Sequence, residues 1–278
     1  MRAAVYWGIG DVRIEDVPRP VIGAGELLVR IGCCGVCWTD LKKIDHGTVS
    51  APRIFGHEMA GVVAEVGEGV TRFAVGDRVQ VYHHIPCRSC AYCERRLYAQ
   101  CAGYKATGVT AGYEPAGGGF AEYVRVLPWI VAGGGVTPVP AGVSLEAASF
   151  LEPVNTCLKC VRVAAPRPSD AVLVVGAGAI GLILARLLLL EGARVFVSDL
   201  LPDRRERALA SGVEAAFDPD IDDVVGDLRA ATGGAGCDVA VLAVPGQTPV
   251  DTAIAALRPG GRVVLFAHTK LDDPVTVD

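Results

Sequence analysis

A glycine-rich turn between an apolar strand and an apolar helix constrains the fold of this chain more than any other feature. Residues 171–175 read Ala-Val-Leu-Val-Val, and the Gly-x-Gly-x-x-Gly turn that follows opens a helix predicted over 182–191. In such a turn the first glycine permits a tight bend, the second lets the backbone approach a pyrophosphate, and the third allows close helix packing. The helix N-terminus adds N–H donors and a positive dipole end. We therefore predict a dinucleotide site at Gly176, Gly178, Ala179, Ile180 and Gly181.

The acidic residue at the end of the next strand indicates which dinucleotide binds. The strand is predicted over 194–198 and is followed by Asp199. A carboxylate at this distance from the glycine turn accepts the ribose hydroxyls of NAD and repels the 2′-phosphate of NADP, so NAD is the predicted cofactor. Arg204 and Arg205 leave an alternative open, because they could pair with a phosphate and weaken this preference. They could equally be solvated residues at the start of a helix.

The two halves of the chain differ in their hydrophobic pattern. Beyond the glycine turn, further strands at 237–244 and 261–267 predict a doubly wound (Rossmann) parallel sheet over residues 153–278. Before residue 152, short apolar segments punctuated by Gly and Pro predict an all-β, barrel-like domain with its ligands on loops, the segments being 3–7, 27–31, 61–66 and 77–81. A helix capped by Ser144 and one with Pro153 at its first position are predicted between the two domains.

Four cysteines are packed into fifteen residues in a C-x2-C-x2-C-x7-C pattern, at Cys87, Cys90, Cys93 and Cys101. Four thiolates satisfy a tetrahedral cation completely, which is typical of structural zinc. An iron–sulfur cluster is the main alternative, but the ferredoxin run has a shorter last gap and a Pro after its final Cys, where this chain has Ala102. A disulfide pair is a further alternative, although ten clustered cysteines fit metal ligation in a reducing compartment better.

A second set of candidate ligands is spread along the chain. Cys37, His57 and Glu58 supply the thiolate, imidazole and carboxylate that an open zinc site uses. Adjacent side chains diverge on a strand or a helix, so His57 and Glu58 can both contact one metal only from an irregular turn. Glu152 is a second candidate carboxylate, and which glutamate completes the site stays open. Taken alone, a single Cys or His is more often a packing residue.

Composition excludes several classes of function. The net charge of -5 and the absence of a basic run argue against a nucleic-acid partner. The N-terminus reaches polar residues too early for a signal peptide. The longest apolar run, 182–190, is interrupted by Arg186 and is too short to span a bilayer. Neither secretion nor membrane insertion is therefore predicted, and the reducing compartment that the clustered cysteines favour predicts a cytoplasmic protein.

With these motifs, the whole chain resembles the zinc-dependent medium-chain dehydrogenases/reductases, the superfamily of alcohol and polyol dehydrogenases. The resemblance rests on Cys37 with Thr39-Asp40, Gly56-His57-Glu58, the four cysteines, Gly-Gly-Phe-Ala-Glu-Tyr at 118–123 and the glycine turn. It implies a GroES-like catalytic domain over 1–152 with a structural zinc lobe at 87–101, and an NAD-binding domain over 153–278. Two zinc ions per chain and NAD are the implied cofactors.

The resemblance also implies roles for single residues. Cys37, His57 and a carboxylate would hold a catalytic zinc, with Glu58 the better third ligand and Glu152 in contact with the zinc or its water. Thr39 matches the hydroxyl that relays the substrate proton, and Asp40 matches a group near the ligand histidine. Because Glu152-Pro153 is similar to the sorbitol and threonine dehydrogenase branch, a polyol, sugar or amino alcohol is the implied substrate, and the implied reaction is hydride transfer from a secondary alcohol to NAD.

The chain departs from the family pattern in three places. Leu41-Lys42-Lys43 stands where many members carry a relay histidine, and a polar His83 stands where a substrate-pocket wall is expected, although a surface position is equally open. The sequence ends at Asp278 just after the fifth predicted strand, so we expect a C-terminally truncated domain that is less stable than a full-length relative. Full-length relatives are expected to form homo-oligomers, whereas the oligomeric state of this chain stays open.

Three other functions remain as alternatives at this point. The first is a simple-alcohol dehydrogenase of the same superfamily. The second is a quinone or enoyl reductase, although these enzymes generally lack both zinc sites. The third is a truncated, catalytically silent protein that binds NAD and zinc.

Overall fold

The structure is a computed structural model, and it describes residues 1–82, 84–105, 117–268 and 274–277. The chain divides into two compact units, Met1–Glu152 and Pro153–Asp278. Antiparallel sheets build the first unit and a parallel sheet builds the second, which confirms the predicted combination of fold classes. Across the described ranges, every helix falls short of the length and apolar character that a bilayer crossing demands.

The first unit is mostly β structure with short helices. Its described strands are β1 (Arg2–Gly8), β2 (Asp11–Asp16), β3 (Leu27–Gly35), β4 (Arg53–Ile54), β5 (Glu58–Val66), β6 (Arg78–Val81), β7 (Tyr123–Val126) and β8 (Val136–Pro138). Its described helices are α1 (Trp38–His46), α2 (Ala91–Glu94), α3 (Ala102–Lys105), α4 (Pro128–Ala132) and α5 (Leu145–Ser149), with a 3-10 helix at Tyr98–Gln100.

Two antiparallel sheets organise this unit, one in the order β7-β3-β5-β6-β8 and one in the order β2-β1-β4. The core of the larger sheet holds Leu27, Val29 and partly buried Ile31, which alternate along β3 as the two-residue period of a strand requires. An ion pair between buried Glu26 and partly buried Arg125 joins the start of β3 to the end of the antiparallel β7, with Nη2 to Oε1 at 2.6 Å. The predicted strands are present, while β2, β4 and β8 were missed. β4 and β8 have only two and three residues, and the alternation in β2 is limited to Val12 and Ile14, both of which are exposed.

The second unit alternates helices and strands. Its described helices are α6 (Leu151–Ala164, which begins at the boundary), α7 (Ala179–Leu190), α8 (Pro202–Ala210), α9 (Val224–Ala231) and α10 (Gln247–Ala256). Its described strands are β9 (Ala171–Val175), β10 (Arg194–Ser198), β11 (Ala215–Phe217), β12 (Cys237–Leu242) and β13 (Leu257–Leu265). The prediction for α6 was wrong by two residues, since Pro153 lies at its third position, still within the first turn, where a missing N–H leaves no helical bond unmade.

The sheet of the second unit has the order β11-β10-β9-β12-β13 and is parallel throughout, as a doubly wound fold requires. All five residues of β9 are buried, because helices cover both faces of a central parallel strand. Arg262 on β13 connects this strand to the C-terminal end of α6. Its guanidinium donates to the carbonyls of Ala164 and Ala165 at 3.1 Å each, which satisfies acceptors at the C-terminus of α6.

Candidate metal centres and nucleotide cavity

Cys37 is the N-cap of α1, in an extended backbone conformation with φ -85° and ψ 143°. Its Sγ accepts a hydrogen bond from the Thr39 amide at 3.4 Å, and its own amide donates to Asp40 Oδ2 at 3.4 Å. This reciprocal pair is a capping box in which a thiol takes the place of the usual hydroxyl. Thr39 itself is exposed at the second position of the helix. The helix start therefore fixes the position of the Cys37 sulfur.

An irregular turn brings His57 and Glu58 to the same place as Cys37. Gly56 has φ +97°, and a Cβ at that position would lie 2.7 Å from the amide nitrogen of Phe120, so only glycine fits. His57 follows the turn and Glu58 is the first residue of β5. One ligand atom each from Cys37, His57 and Glu58 lie within 4.8 Å of one another, a spacing that one zinc ion can bridge.

Asp40 orients the imidazole of His57. Its Oδ1 lies 3.0 Å from His57 Nδ1, and Asp40 is fully buried, so Nε2 is the ring nitrogen left for a ligand. Burial alone would lower the pKa of His57, but hydrogen bonds with Asp40 and Cys37 outweigh it and raise that pKa to about 10. The imidazole thus lies between two groups that favour a positive charge beside them.

Glu58 interacts electrostatically with Glu152, which lies near the cluster. Burial raises the pKa of Glu58, His57 opposes this, and the nearby negative charge of Glu152 raises it further. Glu152 lies outside the group of three atoms that share the 4.8 Å spacing. A divalent cation would relieve the repulsion between these carboxylates, so the donor set fits zinc in chemistry as well as in spacing.

The four cysteines that follow β6 form the second candidate metal centre, which we call the cysteine lobe (residues 87–101). The four sulfurs lie within 4.8 Å of one another, with 3.6 Å between Cys90 and Cys93 and 3.9 Å between Cys87 and Cys93. Sulfurs around tetrahedral zinc at 2.3 Å would be about 3.8 Å apart. A disulfide needs about 2.05 Å, and all ten cysteines are free thiols. The geometry therefore fits a bound cation and not a disulfide pair.

Local hydrogen bonds differentiate the thiols of the cysteine lobe. The amide and hydroxyl of Ser89 lower the pKa of Cys87 to about 6, while burial raises the pKa of Cys93 to about 12. The lobe is also tied to the scaffold, because the guanidinium of Arg88 donates to the carbonyl of Gly133 at 2.8 Å. The hydroxyls of Tyr82 and Tyr104 lie 2.5 Å apart beside the buried cysteines.

The glycine turn of the second unit has the geometry that a nucleotide site needs. Gly176 has φ +98°, and a Cβ there would lie 2.5 Å from the side chain of Val244. At Gly181 a Cβ would lie 1.8 Å from the carbonyl oxygen of Gly176, so α7 could not pack this closely with any side chain there. Gly178 is the N-cap of α7, and a Cβ there would meet the guanidinium of Arg204 at 3.9 Å, which is ordinary van der Waals contact. The helix starts at Ala179, three residues earlier than predicted, which places its first amides inside the turn.

Asp199 follows β10 and ties the glycine turn to the next helix. It is 6% exposed, and its Oδ2 accepts the Ala177 amide at 2.7 Å while Oδ1 accepts the Leu201 amide at 2.9 Å. Each carboxylate oxygen can accept a further hydrogen bond. The side chain therefore remains able to accept ribose hydroxyls.

A cavity of about 780 Å³ lies at the carboxyl ends of the parallel strands. This edge is where open α/β sheets bind their ligands. Its lining includes Gly176, Asp199, Leu200, Arg204, Asp220, Asp222, Asp223, Val224, Val244 and Pro249. The cavity is large enough for a nucleotide and combines apolar walls with a few polar groups.

Arg204 and Arg205, which the sequence could not distinguish, have different environments. Arg204 lines the cavity, with Nη1 3.4 Å from Asp199 Oδ2. Arg205 pairs instead with Asp218 at 2.9 Å and donates to the carbonyls of Asp199 and Leu200 at 2.8 Å each. Sequence reasoning missed Asp218, because the three-residue strand that precedes it carries no usable pattern. The prediction for His83 lies outside the described residues.

Comparison with known proteins gives matches for both units. The alcohol dehydrogenase GroES-like domain matches residues 23–141, and the zinc-binding dehydrogenase domain matches residues 179–278. The chain is 32% identical to (R,R)-butanediol dehydrogenase of Neisseria gonorrhoeae over 96% of this chain and 77% of that protein. It is 34% identical to L-threonine 3-dehydrogenase of Pyrococcus horikoshii over 93% of this chain and 73% of that protein.

Solved structures agree with these matches. A protein of Sinorhizobium meliloti described as a zinc-binding dehydrogenase and bound to NADP superposes with a TM-score of 0.88 at 27% identity, covering 100% of this chain and 79% of that one. The apo form of zinc-dependent alcohol dehydrogenase 2 from Streptococcus pneumonia gives 0.84 at 29% identity, with 100% and 78% covered. The chain thus spans about three quarters of the length of these proteins.

Proposed function

This chain is a member of the zinc-dependent alcohol dehydrogenase family of medium-chain oxidoreductases, and we propose that it transfers a hydride from a secondary alcohol to NAD. The observation that carries the proposal is the meeting of Cys37, His57 and Glu58 within 4.8 Å. A polyol, sugar or amino alcohol is the proposed substrate class. The names of the relatives, which include butanediol, threonine and sorbitol dehydrogenases, support this class.

We propose two zinc sites in each chain. Cys37, His57 and Glu58 would hold the catalytic ion, and the four cysteines of the cysteine lobe would hold the structural one. When bound in an open site, zinc acts as a Lewis acid that makes the hydroxyl proton of an alcohol easier to remove. The neighbouring carboxylate of Glu152 would add negative charge beside Glu58, and it is the alternative third ligand.

The side chains around Cys37, His57 and Glu58 would hold these ligands in position and would transfer the proton of the substrate hydroxyl. Asp40 holds Nδ1 of His57 so that Nε2 is presented in one orientation. The capping box fixes the Cys37 sulfur. The Thr39 hydroxyl, exposed at the start of α1, would accept the proton from the substrate hydroxyl and pass it to solvent.

The second unit would bind the cofactor, which accepts the hydride at its nicotinamide ring. The amides at the start of α7 would bind the pyrophosphate, and Gly178 leaves the room for it. Asp199 would accept the ribose hydroxyls, and its charge would favour NAD over NADP. Ten free thiols support a cytoplasmic location for the enzyme.

A screen for NAD reduction tests this function. Sorbitol, xylitol, galactitol, inositol, L-threonine and butanediol would be supplied with NAD, with and without a zinc chelator, and bound metal would be measured on the same sample. Turnover that the chelator abolishes, together with about two zinc ions per chain, supports the proposal. Two zinc ions and bound NAD without turnover on a wider alcohol panel would instead indicate a silent binding protein. Absence of zinc would contradict the proposal.

A further inference from the structure

Two aspartates stand side by side where neighbouring strands end. β10 and β11 are parallel, with Ser198 opposite Phe217, so the residues that follow are Asp199 and Asp218. The amide of Asp199 donates to the carbonyl of Phe217 at 3.1 Å, which holds the two strand ends together. Each aspartate pairs with one of two consecutive arginines at the start of α8. Two similar ion pairs therefore lie next to each other at the edge of the nucleotide cavity.

The first pair faces the cavity. The Arg204 side chain is 43% exposed and lies 3.4 Å from Asp199, a loose contact that leaves most guanidinium donors available. Its Nη1 is also 3.9 Å from where a Cβ on Gly178 would be, which places the guanidinium beside the glycine turn. Arg204 is therefore within reach of a nucleotide in the cavity.

The second pair, Arg205 with Asp218, lies outside the lining of the cavity. Arg205 is 17% exposed and Asp218 14% exposed, with Nη2 and Oδ2 2.9 Å apart. Nη1 of Arg205 donates to two backbone carbonyls, those of Asp199 and Leu200. Neither Arg205 nor Asp218 lines the cavity. The guanidinium thus lies against the backbone of the ribose-binding residue, but its donors are already engaged.

We propose that Asp218 is a positioning residue that sets cofactor specificity by holding Arg205 away from the ribose. This inference rests on the proposed nucleotide site. A 2′-phosphate carries close to two negative charges and is recognised by arginine through paired hydrogen bonds. With Arg205 held by Asp218, a single arginine faces a cavity wall that also carries Asp220, Asp222 and Asp223. The site therefore disfavours NADP for a second reason besides Asp199.

Substitution of Asp218 removes the restraint. In Asp218→Asn the guanidinium of Arg205 loses its charged partner and keeps only its contacts with two backbone carbonyls, so a 2′-phosphate can compete for it. We expect the affinity for NADPH relative to NADH to rise about tenfold, the size of one charge-assisted hydrogen bond. The measurement is a fluorescence titration of the full chain with each nucleotide.

A double-mutant cycle separates this mechanism from simple loss of a negative charge. In an Arg205→Gln background, Asp218→Asn should leave the affinity ratio unchanged, because the residue that it releases is gone. Asp238→Asn serves as the matched control, since Asp238 pairs with Arg258 at 2.6 Å in the same unit and does not line the cavity. It should leave the ratio unchanged as well.

The outcomes are distinct. An unchanged ratio in Asp218→Asn, or an equal rise with and without Arg205, overturns the proposal. If Asp218→Asn fails to fold, the single variants Arg205→Gln and Arg204→Gln decide: only the latter should change nucleotide affinity, and an equal loss in Arg205→Gln overturns the proposal. If the parent chain binds neither NADH nor NADPH, the proposed function fails and this inference fails with it.

Discussion

The two candidate metal centres of the first unit are built in opposite ways. The cysteine lobe uses four identical ligands from fifteen consecutive residues. The cluster of Cys37, His57 and Glu58 uses three different ligands from two separate segments, and each is held by a specific scaffold feature: a helix cap, a buried aspartate and a glycine turn. A complete thiolate set leaves no position for a substrate, whereas a three-ligand set leaves one.

This contrast indicates that one centre depends on residues close together in the sequence, whereas the other depends on contacts between separate segments. The cysteine lobe can form its ligand set locally, so its zinc would contribute mainly to stability. The other cluster exists only after β5 and α1 have been placed, so its zinc would contribute mainly to activity. The following changes test that division, from the largest expected effect to the smallest.

Cys37→Ser should remove activity and leave stability intact. Serine is a favoured N-cap, so α1 keeps its cap while the zinc loses its thiolate. We expect kcat/KM to fall by about 1,000-fold or more, as loss of several kcal/mol of transition-state stabilisation implies. Steady-state kinetics and a thermal melt on one preparation measure both quantities. A melting temperature that falls together with activity would show that the two centres do not divide their roles.

Cys93→Ala should do the reverse. Losing one ligand of a closed site weakens zinc binding, and because that binding energy is folding energy the melting temperature should fall by about 10 °C. Cys160→Ala is the matched control, since Cys160 is a buried thiol that belongs to neither group of candidate ligands. We expect a clearly smaller shift there. Similar melting temperatures for the two variants would mean that no cation stabilises the cysteine lobe.

Asp40→Asn tests whether zinc binding by Cys37, His57 and Glu58 depends on the hydrogen bond between Asp40 and His57. The amide cannot supply the negative charge that faces His57, and outer partners of this kind change metal affinity by roughly 10- to 100-fold. Competition with a chromophoric chelator should show one zinc released more readily and the other unchanged. Release of both ions to the same degree would contradict the assignment.

Glu26→Gln tests an ion pair that involves neither candidate metal centre. The hydrogen bond from Arg125 lowers the pKa of Glu26 below its ordinary value of 4.5, although burial opposes this. Because the folded-state pKa is depressed, the stability from this pair is fully present above pH 4.5 and is lost as the pH falls through the folded-state value. The variant should be less stable by about 2 kcal/mol at pH 7, and the difference should narrow in acid.

Denaturant unfolding of the parent and the variant across pH measures this difference. The zinc content should be unchanged in both proteins. A gap that stays constant down to low pH would mean that the carboxylate of Glu26 is not responsible.

Most of the fold could be predicted from the sequence, because the patterns that indicate strands and the glycine turn are local and repeated. The strands 171–175 and 194–198 were predicted to the residue, since buried parallel strands are continuous apolar runs. The turn that follows the first of these strands needs glycine for steric reasons that the structure displays at Gly176 and Gly181. Short elements such as β4 and β11 were missed because two or three residues show no period.

The ion pairs were less predictable than the fold. Nothing in the sequence distinguishes Arg204 from Arg205, since their difference depends on which way α8 turns relative to the strand ends. The same holds for Glu58 and Glu152, both carboxylates near a predicted ligand, of which only Glu58 shares the 4.8 Å spacing. Such choices depend on three-dimensional contacts between segments far apart in the chain.

The contact of Arg262 with the carbonyls of Ala164 and Ala165 has a consequence for how the protein is made. On a ribosome, α6 emerges about one hundred residues before the arginine that caps its end. During that interval the helix terminus has only water for those carbonyls. The nascent chain therefore completes this part of the second unit only when β13 has left the exit tunnel.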